Sequence, residues 1–477
     1  MMYKVVPLVL LFSVLLLGVS FTQNSYAAPH TFELEWGISG IAKPGMFLSP
    51  QHLAVDSDNN VYVTDLGNAR VQKFDDQGNY IRSWGLKGFG PGEFSAPSGI
   101  AVANGYVFVV DNTLDTVQKF DSFGNFVMQW GGFGLDDGKF RMPTGIAISD
   151  DEFVYVIDTG NNRIQKFTFN GEHVFSFGQS GKKIGDLLNP TDIAISKTGK
   201  IFVTDTGNQR INIYTNDGTP IRTLNHSVGG FYSSPSGIIL DENNNFYITD
   251  VKNNRIIQFN EYGSVLSIFG IFGNEVAQFR APQDVALDNN GFLYITDTMG
   301  HRIQKFLTPI AAEKAIVEEV NSIAAAAPSA IAAEYIGLTV TEMTELRNAA
   351  REAGVYIKVV RNTLARRALE NTQFECMRDD LVGPLLLVFS NNEPGSAAKV
   401  VRNFSKDNKK LEVKLVSLDG KLLEPSEISK LASLPSLDEA RAMLLGLFFA
   451  PLTKFVRTVS EPTAKFARVL GSKRDKQ

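Results

Sequence analysis

Hydrophobic and polar positions change rhythm near residue 306. Before it, short apolar and aromatic runs alternate at every second residue, as in Val61-Tyr62-Val63-Thr64 and Phe292-Leu293-Tyr294-Ile295, and Asn, Asp and Gly turns bound them. That period predicts strands. After it, apolar residues recur at helical spacing in Ala-, Glu- and Lys-rich stretches that alternate with brief apolar runs. The pattern predicts a multidomain chain: an all-β region over 31–306, an α/β domain over 307–425, and a helical tail over 426–477.

Six segments of the β region repeat one plan: Pro, an apolar triplet, an apolar-aromatic run ending in Asp, a turn, then Arg-Ile-Gln-Lys-Phe or a variant. They start at Pro50, Pro97, Pro143, Pro190, Pro235 and Pro282. The run-ending aspartates, Asp65, Asp111, Asp158, Asp205, Asp250 and Asp297, are spaced 46, 47, 47, 45 and 47 residues apart. A period in the forties with several short strands per repeat indicates propeller blades. The sixth copy stops at Phe306 without an outer strand, and the missing strand stands at the start as Phe32 to Gly37. Its return to blade six would remove two open sheet edges. The motif resembles the NHL repeat family over all of 31–306. That resemblance implies a six-bladed propeller, a fold that serves as a binding platform and occasionally as a lyase or hydrolase.

Within the repeats, Asp-x-x-Asn-x-Arg recurs as Asp65/Asn68/Arg70, Asp158/Asn161/Arg163, Asp205/Asn208/Arg210 and Asp250/Asn253/Arg255. An Asp before a tight turn can accept its N–H groups, and Asn tolerates a left-handed backbone, so the unit reads as structural. Blade two has Leu114 and Thr116 at the Asn and Arg places, and blade six has Gly300 with Arg302; these departures mark a candidate place for an unidentified ligand. Asp56-x-Asp58-x-Asn60 and Asp241-Glu242-Asn243 lack the glycine and distal glutamate of a calcium loop and read as hairpin turns. His30, His52, His173, His226 and His301 show no metal spacing and read as scaffold residues. The expectation is no metal, no cofactor, no catalytic residue and no enzyme.

Beyond Phe306, Thr308-Pro309 can open a helix to about 326, with Ile316, Val317, Val320 and Ile323 on one face. A strand follows at Ser329–Ala333, then a capping box, Thr339-Val340-Thr341-Glu342, opens a helix to about Gly354. Tyr356–Val360, Leu385–Phe389 and Leu411–Val416 read as strands, and Asn362–Glu370 as a short basic helix. Past Pro435, Ser436-Leu437-Asp438-Glu439 opens a helical tail, expected to break at Pro451 and Pro462. The stretch from Thr344 to Cys376, TELRNAAREAGVYIKVVRNTLARRALENTQFEC, with AIVEEV, LVGPLLLVFS, KLASLPSLDEA and KFVRTV at family spacing, resembles the bacterial ribosomal stalk-base proteins, large-subunit protein ten.

This resemblance implies a domain that binds folded large-subunit ribosomal RNA. Arg347, Arg351, Lys358, Arg361, Asn362, Arg366 and Arg367 would contact phosphates, with Arg361 and Asn362 at a helix start. It also implies a tail that carries dimers of the acidic stalk protein through Leu444, Leu445, Phe448, Leu452, Phe455 and Val456, with Val459 and Phe466 beyond. Those dimers recruit translation GTPases, which are therefore indirect partners.

Charge sharpens the division. Residues 1–306 carry 22 Lys and Arg against 30 Asp and Glu, a balance of −8, and the remainder carries 24 against 21, a balance of +3. The second half is the one suited to an anionic partner. The single cysteine, Cys376, excludes a disulfide framework and reads as a small packing residue. Lys4, the apolar Val5–Val19 and Ser25-Tyr26-Ala27 form a secretory signal pattern over 1–27, with an uncleaved anchor as its alternative. The addresses conflict: export for the first half, the cytoplasmic ribosome for the second. The favoured reading is a structural ribosomal protein bearing a propeller. The alternative is a secreted propeller acting as a ligand- or protein-binding platform, with a fused or artefactual ribosomal tail.

Overall fold

A computed structural model describes residues 30–41, 43–225, 233–391, 393–435 and 437–474. The signal or anchor over 1–27, His226 and Ser436 lie outside the described residues. The chain divides into two compact units, one ending at Pro309 and the next beginning at Ile310.

Six four-stranded antiparallel sheets make up the first unit. Blade one runs from the inner strand Pro50–Val55 through Val61–Asp65 and Arg70–Phe74 to the outer strand Tyr80–Trp84. The second strand of each blade is flanked by neighbouring blades on both faces, so Val61 to Asp65 are all buried while Tyr80 and Ile81 on the outer strand are exposed. Thr31–Trp36 pairs with Arg302–Leu307 and supplies the fourth strand of blade six. The blades are keyed by a repeated joint: Trp36, Trp84 and Trp130 lie against Gly78, Gly124 and Gly171 of the following blade. A Cβ at Gly78, whose φ is +75°, would stand 2.8 Å from the Trp36 ring. Glycine therefore satisfies both the turn and the close approach.

The turn after five of the six run-ending aspartates, all but Asp111, is a short 3-10 segment closed by a left-handed residue, Ala69, Asn162, Gln209, Asn254 or His301. The recurring asparagine stands one residue earlier than that position. Its role is carried by the side-chain amide and not by backbone tolerance, which corrects the sequence expectation.

In the second unit a five-stranded antiparallel sheet is ordered Val355–Val359, Leu385–Ser390, Ser329–Glu334, Glu412–Leu418, Lys421–Leu423. Alternate residues of its strands feed two cores. Ala330, Ala332, Leu385 and Leu387 meet helices Pro309–Ala326 and Asn362–Ala368, the first through Val320, Ile316, Val317 and Ile323. Ile331, Ala333, Leu386 and Val388 meet helices Val340–Glu352 and Ser396–Asp407 on the opposite face. The capping box forms: Glu342 N–H donates to the Thr339 hydroxyl at 3.2 Å, and Thr339 N–H donates to the Glu342 carboxylate at 2.6 Å.

The tail is one helix, Leu437–Arg474, with Pro451 and Pro462 inside it. The expected breaks do not occur. Each proline removes one N–H donor and crowds one turn, a local penalty that the hydrogen-bonded turns on either side outlast.

Candidate functional site

The repeated Asp, Asn and Arg of the propeller form clasps. Asp65 Oδ1 accepts from Leu48 N–H at 2.7 Å, and its Oδ2 accepts from Asn68 Nδ2, Arg70 Nε and Gln72 Nε2 at 2.8, 2.9 and 3.1 Å. Asn68 and Arg70 then donate to the carbonyls of Gly40, Lys43 and Met46 on the link entering the same blade. A buried ion pair stabilises only when its remaining donors are satisfied, and here the link carbonyls do so. Blades three and four repeat the arrangement at Asp158 and Asp205. In blade two, Asp111 instead accepts from the N–H groups of Ser95, Thr113 and Leu114, and the buried Thr116 hydroxyl has no partner among the described residues.

Three histidines are likewise structural. His30 stacks on Phe269 with ring centroids 4.5 Å apart, His173 bonds the Ser176 hydroxyl at 2.8 Å, and His301 Nδ1 accepts from Ser49 N–H at 3.1 Å. His52 departs from the scaffold reading. It joins Asp192 and Asp284 in a buried cluster of metal-ligating groups whose candidate donor atoms all lie within 4.8 Å of one another. Burial, then the neighbouring Asp284 carboxylate, push the Asp192 carboxyl well above the usual range. Burial opposes protonation of His52, yet the Asp284 carboxylate lifts its pKa above the ordinary value. The three residues are far apart in sequence, but each stands two positions after the proline that opens its blade. That shared register was the available signal.

The basic residues of the second unit gather around one edge of its sheet and divide between its faces. Arg347 and Arg351, four apart on helix Val340–Glu352, belong to one face; Asn362, Arg366 and Arg367 belong to the helix on the other; Lys358 lies on the edge strand between. Their environments differ. Arg347, Arg351 and Arg367 are exposed, with no ion pair or hydrogen-bond partner among the described residues. Arg361 pairs with Glu313 at 2.9 Å, and Lys358 pairs with Glu319, whose carboxyl is held below its usual range mainly by that bond. Asn362 Nδ2 donates to the Gly383 carbonyl at 2.7 Å, and Arg366 Nη2 to the Leu381 carbonyl at 2.8 Å. Asn362 and Arg366 thus pin the segment before strand Leu385–Ser390. The helix they share has seven residues, so its dipole adds little to phosphate attraction.

On the tail, Leu444, Leu445, Phe448, Leu452, Phe455 and Val456 are all more than half exposed, with Phe448 and Phe455 at 68%. The side chains of Val459 and Phe466 lie outside the described residues. By length and composition alone, Leu437–Pro462 also suffices to cross a membrane. Cys376 is exposed near the Ser417 hydroxyl, 3.4 Å away. Its neighbours Phe374 and Met377 fill the core instead, which corrects the packing role expected of it.

Comparison with known proteins matches each region separately. The family described as Ribosomal protein L10 matches residues 309–406, and Ribosomal protein uL10 C-terminal region matches 434–477. The NHL repeat matches 140–167, 187–214 and 279–306, and a family described as 6-bladed beta-propeller matches 49–130. Large ribosomal subunit protein uL10 of Thioalkalivibrio sulfidiphilus is 55% identical over 165 residues, covering 35% of this chain and 94% of that protein. The uL10 of Methylococcus capsulatus is 59% identical over 145 residues, covering 30% and 83%. Among solved structures, a streptogramin B lyase aligns with TM-score 0.44 and 15% identity over 58% of this chain and 97% of its own. A gluconolactonase from Xanthomonas campestris, XC5397, aligns at 0.42 and 13% over 55% and 86%. The expectation of no enzyme is withdrawn, since these solved neighbours of the propeller are themselves enzymes. The likeness assigns no reaction to this chain.

Proposed function

This chain belongs, through residues 309–477, to the uL10 family of large-subunit ribosomal proteins, and from that premise we propose that it binds large-subunit ribosomal RNA at the stalk base and carries acidic stalk protein dimers that recruit translation GTPases. The C-terminal 35% of the chain has a ribosomal-protein role, and its N-terminal partner is an NHL-type propeller fused to it.

The observation that carries the RNA reading is the sheet edge at Val355–Val359, flanked on both faces by exposed arginines. Arg347, Arg351 and Arg367 are free to meet phosphates directly. Lys358 and Arg361 are held by surface carboxylates, pairs worth about 0–1 kcal/mol that a phosphate can replace. Such contacts fix orientation on a folded RNA and read its shape, not a long base sequence. The stalk-dimer reading is supported by the exposed apolar stripe from Leu444 to Val456, since a patch of that size on a soluble protein marks an interface. In cells this function requires the cytoplasm. Sedimentation of the full chain with large subunits after a high-salt wash tests it; recovery only in the medium or in membranes contradicts it.

A second reading, the propeller as a protein-binding platform, is favoured by one observation. The links between outer and next inner strands expose Ile38, Phe89, Phe133, Leu135, Ile184 and Phe272, with Phe89 at 82% and Phe133 at 75%. These links lie on the side of the ring where the Asp-Asn-Arg turns clasp them. Crosslinked partners that vanish on Phe89→Asp with Phe133→Asp support this reading, and unchanged partners contradict it.

A further inference from the structure

A Pro stands at or three residues before the start of each inner strand of the propeller, and the residue two positions after it is His52, Gly99, Gly145, Asp192, Gly237 or Asp284 in blades one to six. Three blades use glycine, and the other three use residues that ligate metals. Two of the glycines make room for the carboxylates. A Cβ at Gly145 would stand 2.6 Å from Asp192 Oδ1, and one at Gly237 would stand 2.4 Å from Asp284 Oδ1. Asp284 Oδ2 accepts from Leu53 N–H at 2.9 Å, and Asp192 Oδ2 accepts from Ile238 N–H at 2.9 Å. Both carboxylates are thereby oriented by backbone of the neighbouring blade.

Their charge is not balanced as elsewhere in the ring. Asp65, Asp158, Asp205, Asp250 and Asp297 each have an arginine within 3.0 Å. Asp192 and Asp284 have no lysine or arginine among the described residues, and share only His52, whose Nδ1 is 3.3 Å from Asp284 Oδ2. The His52 side chain is 9% exposed, and its other ring nitrogen, Nε2, has no hydrogen-bond partner among the described residues. Buried carboxylates without counter-charge are costly, and protonation, an ion pair or a metal relieves that cost. The cluster lies in the wall of a cavity of about 210 Å³ lined by the inner strands of all six blades.

We propose that His52, Asp192 and Asp284 hold one divalent first-row cation, of the manganese or zinc kind, on the axis of the propeller. One imidazole and two carboxylates supply a donor set that suits such ions better than calcium, which takes six to eight oxygens. Donors around a cation at about 2.1 Å stand roughly 3.0–3.4 Å apart. His52 Nδ1 and Asp284 Oδ2, 3.3 Å apart, already have that separation, and the candidate donors of the whole set lie within 4.8 Å of one another. Three protein donors leave coordination positions open toward the cavity.

The test uses the full chain, stripped with chelator and titrated with Co²⁺, Mn²⁺ and Zn²⁺. The expected result is one Co²⁺ per chain with a visible d–d band, displaced by Zn²⁺, and a rise in the propeller melting temperature with either Mn²⁺ or Zn²⁺. Asp192→Asn with Asp284→Asn should weaken binding by at least about tenfold, and His52→Gln should change the Co²⁺ band. His173→Gln, beside the exposed Asp137, should change neither. Absence of saturable binding by the wild-type chain overturns the proposal whether or not the variants fold. Binding that survives intact in a folded Asp192→Asn, Asp284→Asn chain overturns it equally.

Discussion

Arg302 Nη1 donates to the Glu35 carboxylate at 2.8 Å, joining the last repeat of the propeller to its first strand across 267 residues. The same arginine binds Asp297 and the carbonyls of Asn274, Glu275 and Gln278. Closure of the ring therefore depends on a strand laid down before any blade, and the joint beside it, Trp36 on Gly78, locks blade six to blade one.

Gly78→Ala should expose that dependence. It imposes both a left-handed conformation and a methyl 2.8 Å from the Trp36 ring, and should cost roughly 2–4 kcal/mol. Gly105→Ala, with φ +75° and nothing within 4 Å of its Cβ, should cost only about 1–2 kcal/mol. Thermal or urea unfolding of the two variants checks the difference; equal losses would mean the joint contributes nothing.

Acid should loosen the same closure. His30, just before the first strand, stacks on Phe269 and contacts the Tyr247 hydroxyl, and burial pulls its pKa from 6.5 down to about 4. The neutral ring is the form the fold favours. Its contribution is therefore complete above pH 6.5 and is lost progressively as pH falls toward 4, about 3 kcal/mol in all. His30→Phe keeps the stack and removes the proton site. Its urea midpoint should fall less than that of wild type between pH 7 and 4.5, and parallel losses would refute the assignment.

Phe448→Asp with Phe455→Asp should abolish capture of acidic stalk dimers by the full chain, measured by native electrophoresis. Because both side chains are 68% exposed, the melting temperature of the α/β domain should stay within about 1 °C. Loss of the fold instead would place these residues in a core.

Much of this architecture is legible in the chain. The run-ending aspartates count the blades, and the absent strand after Phe306 points to Phe32–Gly37 as its replacement. Thr339 and Glu342 announce a helix start through chemistry confined to four residues. What escapes is assembled by topology. His52, Asp192 and Asp284 converge only because the ring brings blades one, four and six to a common axis. Arg366 reads as one more cation on a basic helix, and only the packed structure shows its guanidinium held by the Leu381 carbonyl. Pro451 and Pro462 mislead because a local rule overstates what one missing N–H does to a 38-residue helix.

The RNA surface is tested most directly by salt-dependent filter binding of the full chain to a transcript of the large-subunit stalk-base region, against an unrelated RNA of equal length. The full chain should prefer the stalk-base transcript, with a log–log salt slope reduced by about two in Arg347→Ala, Arg351→Ala. Equal affinity for both RNAs, or an unchanged slope in that variant, would contradict it.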